Sequence, residues 1–331
     1  MEDYTGVMVY GEIAGQKLAS TTCELLECGR RLAADLGQGL SCVLTGQLPS
    51  SVVDEAAARG ATTVYTAALG DASALDTEAH LAAAMAAVGQ AKPSVILIGH
   101  TALGRETGPR LAFRLGTAVA TDCIDLKIDA ESHRLVMTKP VYGGNALVDF
   151  VAATTPQVAT VRPKAMSAGE PAPGKQATAV PLSVQMPTSK VAVKDRILEE
   201  VVGVKLEDAT VVVSGGRGVA GPAPFATVLK DLAEVLHGAV GASRPACDNG
   251  WAPEAMHIGL TGKIVAPELY VAVAISGASQ HMAGCSGSKT IVAINKDAEA
   301  NIFREATYGV VGRFEDVLPA FTAKLRELLA D

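Results

Sequence analysis

Aromatic side chains are scarce in this sequence: one Trp, six Tyr and six Phe make up 4% of 331 residues. Any core must therefore be built from small aliphatic side chains, and little aromatic surface is on offer for stacking. No unbroken apolar run reaches the roughly 18–20 residues that span a bilayer, which excludes a transmembrane helix. Charge is low too, at 19% of residues. It sums to 28 − 35 = −7, with a pI near 5.5, so nothing advertises a nucleic-acid partner. The six cysteines, Cys23, Cys28, Cys42, Cys123, Cys247 and Cys285, are too dispersed for a disulfide framework. None has Cys-x-x-Cys spacing, which argues against a zinc or iron–sulfur site, and they read as small buried hydrophobes. The first six residues, Met1 to Gly6, are acidic and lack both a secretory signal and a transit peptide, so the expected compartment is the cytoplasm.

What is present is small and apolar. Hydrophobic residues make up 49% of the chain, which excludes a disordered protein, and 33 glycines imply backbone needs that other residues cannot meet. The length exceeds the roughly 250–300 residues at which one core stops growing, so two domains are expected.

The first half alternates strands and helices. Val7–Tyr10, Cys42–Thr45, Thr62–Thr66 and Val95–Ile98 read as buried strands, with helices over Lys17–Leu36, Val52–Arg59 and Leu75–Val88. That order predicts a parallel sheet covered on both faces. From about Thr121 the runs Ile124–Ile128, Arg134–Thr138, Ala146–Ala152 and Gln157–Val161 are short and β-rich. They read as antiparallel strands appended to the edge of that sheet. Ser167–Pro187, with four prolines among Gly, Ala and Gln, reads as an extended connection. It sets the expected boundary: an N-terminal α/β domain over 1–190 and a C-terminal domain over 191–331. The second domain is again α/β. Ala209–Val213, Ala239–Ala242, Leu269–Ile275 and Thr290–Ile294 are expected strands, with helices over Phe225–His237 and Phe314–Leu329.

Its strand-end loops carry the chemistry. Val211–Gly221 runs from a strand into Gly216, Gly218 and Gly221, a G-x-G-x-x-G turn in which backbone N–H groups can approach phosphate. Ser243-Arg244 ends the next strand, where a 2′-phosphate could be met, so an NADP-dependent oxidoreductase is one reading. Three more loops fall on the same rim: His257–Lys263, Ile275–His281 and Asn295-Lys296-Asp297. No paired carboxylates or Ser–His–Asp set accompany them, which favours an electron carrier subunit over a stand-alone enzyme. A non-redox assembly subunit would leave every one of these loops idle.

Val211–Gly218, Val240–Arg244, Thr261–Tyr270, Ile275–Gly284 and Thr290–Asp297 together resemble the C-terminal domain of the electron transfer flavoprotein alpha subunit. Gly262-Lys263-Ile264-Val265-Ala266-Pro267-Glu268-Leu269-Tyr270 is its longest signature. Gly99–Arg110 and Thr155–Pro163 carry the likeness into the N-terminal half.

The resemblance implies a heterodimer with a beta subunit, the N-terminal domain serving as subunit interface and a Rossmann-like C-terminal domain binding FAD. It also implies electron exchange with acyl-CoA dehydrogenases in fatty acid β-oxidation, and with a quinone reductase or ferredoxin as second partner. The alternative within the family is electron bifurcation with NADH and ferredoxin. Carried over by motif, Arg244, Thr261, Gly262, Gln280 and His281 should surround the flavin, with His281 a donor to its N1–C2 edge. Ser276, Gly277 and Ala278 should hold phosphate, and Asn295 and Lys296 should sit toward adenosine. Arg217 and Ser243 complete the expected shell; no metal or catalytic residue is expected. Two positions depart from the family pattern. Leu260 stands where Gln is usual, and Arg313 where an Asp is usual.

Overall fold

The computed structural model describes residues 4–46, 48–69, 76–144, 146–185, 194 and 204–329. Contacts divide the chain into two compact units, one of Met1–Tyr142 with Ala146–Ile197 and the other of Gly143–Asn145 with Leu198–Asp331. The boundary expected at residue 190 lies outside the described residues.

The first unit runs β1 (Val7–Gly11), a small hairpin β2 (Ile13–Ala14) and β3 (Lys17–Leu18), α1 (Ser20–Leu36), β4 (Leu40–Gly46), α2 (Ser50–Ala58) and β5 (Thr63–Ala68). It continues through α3 (Thr77–Ala91), β6 (Val95–Gly99), α4 (Ala102–Arg114), β7 (Val119–Cys123), β8 (Asp125–Ile128), β9 (Leu135–Val141), β10 (Ala146–Phe150), β11 (Gln157–Val161) and β12 (Thr178–Pro181). Seven strands form one parallel sheet in the order β12-β5-β4-β1-β6-β11-β7. Every residue of β1, β6 and β11 is buried, as befits strands covered on both faces. Alternation along β1 sorts the two cores. Val7 and Val9 pack with Leu25, Leu26 and Val52 of α1 and α2. Met8 and Tyr10 pack with Leu81, Val88 and Leu111 of α3 and α4.

Three sequence expectations need correction. Gln157–Val161 is not an appended antiparallel strand; it lies parallel between β6 and β7 inside the main sheet. Its five consecutive buried residues show why, since a one-sided strand would alternate. Only β8, β9 and β10 make the separate antiparallel sheet. Ser167–Pro187 is not simply a connection. Within it β12 pairs with β5, the Thr178 amide donates to the Thr62 carbonyl at 3.0 Å, and Leu182 does the same to Thr66 at 2.8 Å. The outer edge of β5 is thereby covered, and Pro181 is tolerated because it sits on an edge strand. Finally, α1 starts at Ser20, because Lys17 and Leu18 belong to the hairpin.

The second unit runs β13 (Val211–Gly215), α5 (Ala223–Ala226), α6 (Val228–Val235), β14 (Ala239–Ser243), α7 (Arg244–Asp248), β15 (His257–Ile258) and β16 (Leu269–Val273). It ends with α8 (Ser279–Met282), β17 (Thr290–Asn295), α9 (Ile302–Glu305), β18 (Tyr308–Val311) and α10 (Phe314–Leu329). The helix expected over Phe225–His237 is broken at Thr227, whose φ −122°, ψ −101° lies outside the helical region. Six strands pair in parallel in the order β15-β14-β13-β16-β17-β18. Strand order reverses between β13 and β16, so the carboxyl ends of these strands open onto a crevice where such sheets bind ligands. Among the described residues no helix is long and apolar enough to cross a membrane.

Candidate functional site

The crevice is a cleft of about 900 Å³ in the second unit. Ten of the twelve residues picked from the sequence line it: Arg217, Ser243, Arg244, Thr261, Ser276, Ala278, Gln280, His281, Asn295 and Lys296. They arrive from five strand ends, Thr261 on the loop that follows β15. β13 leads into Gly216–Gly218, β14 ends at Ser243, β16 leads into Ile275–Ala278, and β17 ends at Asn295.

The other two, Gly262 and Gly277, stand behind the wall, and their missing side chains explain the geometry. A Cβ on Gly262 would lie 2.7 Å from Cγ of His257 and 2.8 Å from its Nδ1, so this glycine makes room for an imidazole. Gly277 has φ +82°, and a Cβ there would meet the Ile302 amide nitrogen at 2.3 Å. The Ile302 N–H donates to the Ser276 carbonyl at 3.0 Å, so the glycine lets α9 close against this loop. Gly221, the third glycine of the fingerprint, faces open space. Only its first two glycines line the cleft, and α5 begins beyond it at Ala223.

Charge and hydrogen-bonding capacity are distributed unevenly. Arg217, Arg244 and Lys296 bring three cationic groups to the walls. Arg244 Nε also lies 3.5 Å from Asp248 Oδ2, an exposed pair that leaves most of the guanidinium open. Among the described residues, the backbone N–H groups of Ser276, Gly277 and Ala278 have no protein acceptor, and Ser243 Oγ is buried without a partner. A cleft offering unsatisfied donors and cations suits a ligand rich in anionic acceptors, which a diphosphate-linked dinucleotide is. Asn295 serves the scaffold as well: its Nδ2 donates to the Ile275 carbonyl at 2.9 Å, and its Oδ1 accepts from the Asp297 amide at 3.0 Å.

His281 is held from both ends. Nδ1 lies 3.1 Å from the Ile258 carbonyl and Nε2 lies 2.9 Å from the Tyr270 hydroxyl. A carbonyl can only accept, so Nδ1 carries the proton and Nε2 accepts from Tyr270. Burial pushes the His281 imidazolium down to about 4, so the ring is neutral and shapes the wall. It retains no free N–H for the flavin edge, and the expected donor role does not fit this geometry. Tyr270 itself is fully buried, and burial raises its phenol well above the usual value.

The departing positions also find places. Leu260 is half-exposed on the cleft wall and its amide donates to the Gln280 carbonyl at 2.7 Å. Arg313 borders a smaller hollow of about 250 Å³ that shares Gly218, Ala274, Asn295 and Lys296 with the main cleft, and it pairs with Glu315 at 3.4 Å. Sequence reading missed further wall residues, among them His257 and Ala274. His257 belongs to the quoted loop His257–Lys263, but nothing in its spacing singled it out. Ala274 at φ +52° leaves no sequence signal, being a non-glycine in a conformation that favours glycine. Among the described residues no group of three His, Cys, Asp or Glu could hold a metal ion.

Comparison with known families bears on both units. A profile described as "Electron transfer flavoprotein domain" matches residues 7–187, and "Electron transfer flavoprotein FAD-binding domain" matches 205–286. The chain belongs to the electron transfer flavoprotein family. The electron transfer flavoprotein subunit alpha of Bacillus subtilis is 38% identical over 323 residues, covering 97% of this chain and 98% of that protein. The same subunit of Megasphaera elsdenii is 37% identical over 331 residues, covering 99% and 98%. The acryloyl-CoA reductase electron transfer subunit beta of Anaerotignum propionicum is 33% identical over 356 residues, covering 99% and 97%. Within the family the chain is therefore of the alpha-subunit kind, which pairs with a beta subunit. The cleft lies in the FAD-binding domain, and its unsatisfied donors and cations fit FAD.

Proposed function

We propose that this chain, paired with a beta subunit through its N-terminal unit, carries FAD as a mobile store of electrons taken from acyl-CoA dehydrogenases and passed to a second redox protein. The observation that carries the reading is the cleft, with three cationic side chains and unpaired loop N–H groups gathered on four strand ends. The cofactor, when bound, supplies reversible acceptance and donation of electrons; the chain's own residues bind and tune it. Ser276, Gly277 and Ala278 offer N–H groups to the diphosphate. Arg244 and Thr261 face the flavin end, where a fixed positive charge favours the reduced, more negative cofactor. Gln280 supports the ribityl region, and Asn295 and Lys296 the adenosine end. His281 and Tyr270 keep that wall neutral and rigid.

Acyl-CoA chemistry is supported by the likeness to the acryloyl-CoA reductase electron transfer subunit, which is named for such a partner. A reducing compartment such as the cytoplasm suits six free thiols. The test is to purify the chain with its beta partner, count flavins and measure electron transfer from an acyl-CoA dehydrogenase. One FAD on the alpha chain and transfer from the dehydrogenase support the reading. A second FAD and reduction by NADH would shift it to bifurcation with ferredoxin as acceptor. Retention of NADP without flavin would overturn it.

A further inference from the structure

One side chain on the cleft wall has no part in the reading above. His257, at the start of β15, is 3% exposed and lines the cleft. Its Nδ1 lies 3.0 Å from Oε1 of Glu254, one helical turn earlier, and Glu254 is three-quarters exposed. Its ring packs against Gly262, where a Cβ would lie 2.7 Å from its Cγ, and a Cβ on Gly259 would lie 3.4 Å from its Nε2. With Nδ1–H donating to the carboxylate, the lone pair falls on Nε2, which has no partner among the described residues.

The other titratable groups on these walls cannot take up a proton in the same way. Arg217, Arg244 and Lys296 are donors only. His281 has both nitrogens committed to Ile258 and Tyr270. Asp297 and Glu299 follow β17, at the far end of the strand order from β15. Around His257 itself, α7 brings Arg244, Cys247 and Asp248, α8 brings His281, and the loop after β15 brings Lys263, which is paired with Glu207 at 2.6 Å. Burial, with the charges of Glu254 and Asp248, pushes the Cys247 thiol up to about 11, so it stays protonated.

We infer that His257, held by Glu254, is the proton acceptor of the cleft, binding one proton at Nε2 when an electron enters. The inference rests on FAD occupying the cleft. The electron comes from the reduced partner that the electron-transfer activity supplies. The proton comes from a solvent or buffer acid, whose bond to hydrogen breaks as the Nε2–H bond forms. Glu254, open to water and bonded to the ring, stabilises the imidazolium and fixes which nitrogen is protonated. The added negative and positive charges cancel, so the cleft can accept an electron without holding an uncompensated charge.

The test uses the full chain with its beta partner, loaded with FAD and labelled with ¹⁵N-histidine. Nitrogen NMR follows protonation of His257 Nε2 against pH in the oxidised and reduced protein. Reduction is expected to move the His257 titration midpoint up by about one pH unit. His257→Gln is expected to flatten the fall of the cofactor potential with rising pH, and Glu254→Ala to shrink the midpoint shift while Glu254→Gln retains part of it. A midpoint that is the same in both redox states, or an unchanged slope in His257→Gln, overturns the inference while leaving FAD binding intact. Failure to bind FAD at all overturns this inference and the functional reading together. The NMR titration of the unsubstituted protein decides the matter even if His257→Gln does not fold.

Discussion

At Ala274 the backbone adopts φ +52°, a region that a β-carbon makes costly, at the point where β16 turns into the loop Ile275–Ala278. Its amide donates to the Ile294 carbonyl at 2.8 Å and its carbonyl accepts from the Gly218 amide at 3.3 Å, so the conformation is fixed from both sides. Ala274→Gly should relieve that strain and stabilise the second unit by about 0.5–1 kcal/mol, less than the full left-handed penalty because glycine also loosens the unfolded chain. Urea unfolding is the measurement, and a lower midpoint would contradict the strain. Glu24 gives a second residue-scale prediction. Burial raises its carboxyl from 4.5 to about 7, against the Lys164 amide, whose N–H donates to it at 2.8 Å and pulls the other way. The folded state therefore holds the proton more tightly than the unfolded chain. Its stabilising contribution is complete below about pH 4.5 and is lost as pH rises through about 7. Glu24→Gln should melt close to the unsubstituted protein at pH 4.5 and progressively above it toward pH 7 and beyond; a difference that does not grow with pH contradicts the buried carboxyl. Arg244→Ala removes a cation from the cleft and should lower the cofactor potential. A tenfold shift in the one-electron equilibrium is ~59 mV, the size expected, and an unchanged redox titration would remove Arg244 from the flavin end.

Among the elements, β12 is the one whose role the sequence hides. Four residues in a proline-rich stretch look like a spacer, yet they complete a seven-stranded sheet. Val180 lies between the Thr178 and Leu182 amides that bond to Thr62 and Thr66. Val180→Pro should break the ladder, cost about 3 kcal/mol, and speed hydrogen exchange in β5. Unaltered exchange would mean that β12 does not pair in solution. What could be read directly were the long, strongly patterned elements: β1, β4 and β6 as apolar runs, α10 from its amphipathic spacing, and the two-unit α/β organisation. β11 was misplaced because a short β-rich run following a hairpin gives no sign of its partner; burial on both faces, a tertiary property, decides it. Most of the cleft was legible because strand-end loops converge wherever a parallel sheet reverses its strand order, so Ser243, Ser276 and Lys296 meet without any contact being known. Gly262 reads as a cofactor contact because loop glycines look alike in sequence, whether they admit a ligand or, as here, the neighbouring His257 ring. His257 was missed for the complementary reason: its importance lies in a carboxylate three residues earlier and a glycine five residues later.

For the whole molecule, the division of labour follows from the two sheets. The first unit covers both faces of its sheet with helices and carries exposed apolar side chains at Phe113, Tyr142 and Leu147, which suits the assembly role proposed for it. The second unit gathers the cations and unpaired donors that a dinucleotide needs. With few aromatic residues in the chain, the proposed tuning of the flavin rests on charge and hydrogen bonds, from Arg244, Thr261 and His257. The most direct measurement is the absorbance of the purified heterodimer, with mass analysis of whatever it releases on denaturation. The account predicts a flavin band near about 450 nm and released FAD, with binding weakened by charge removal at Arg244 and Lys296. A colourless protein with no flavin in the denatured supernatant, even after incubation with FAD, would contradict it.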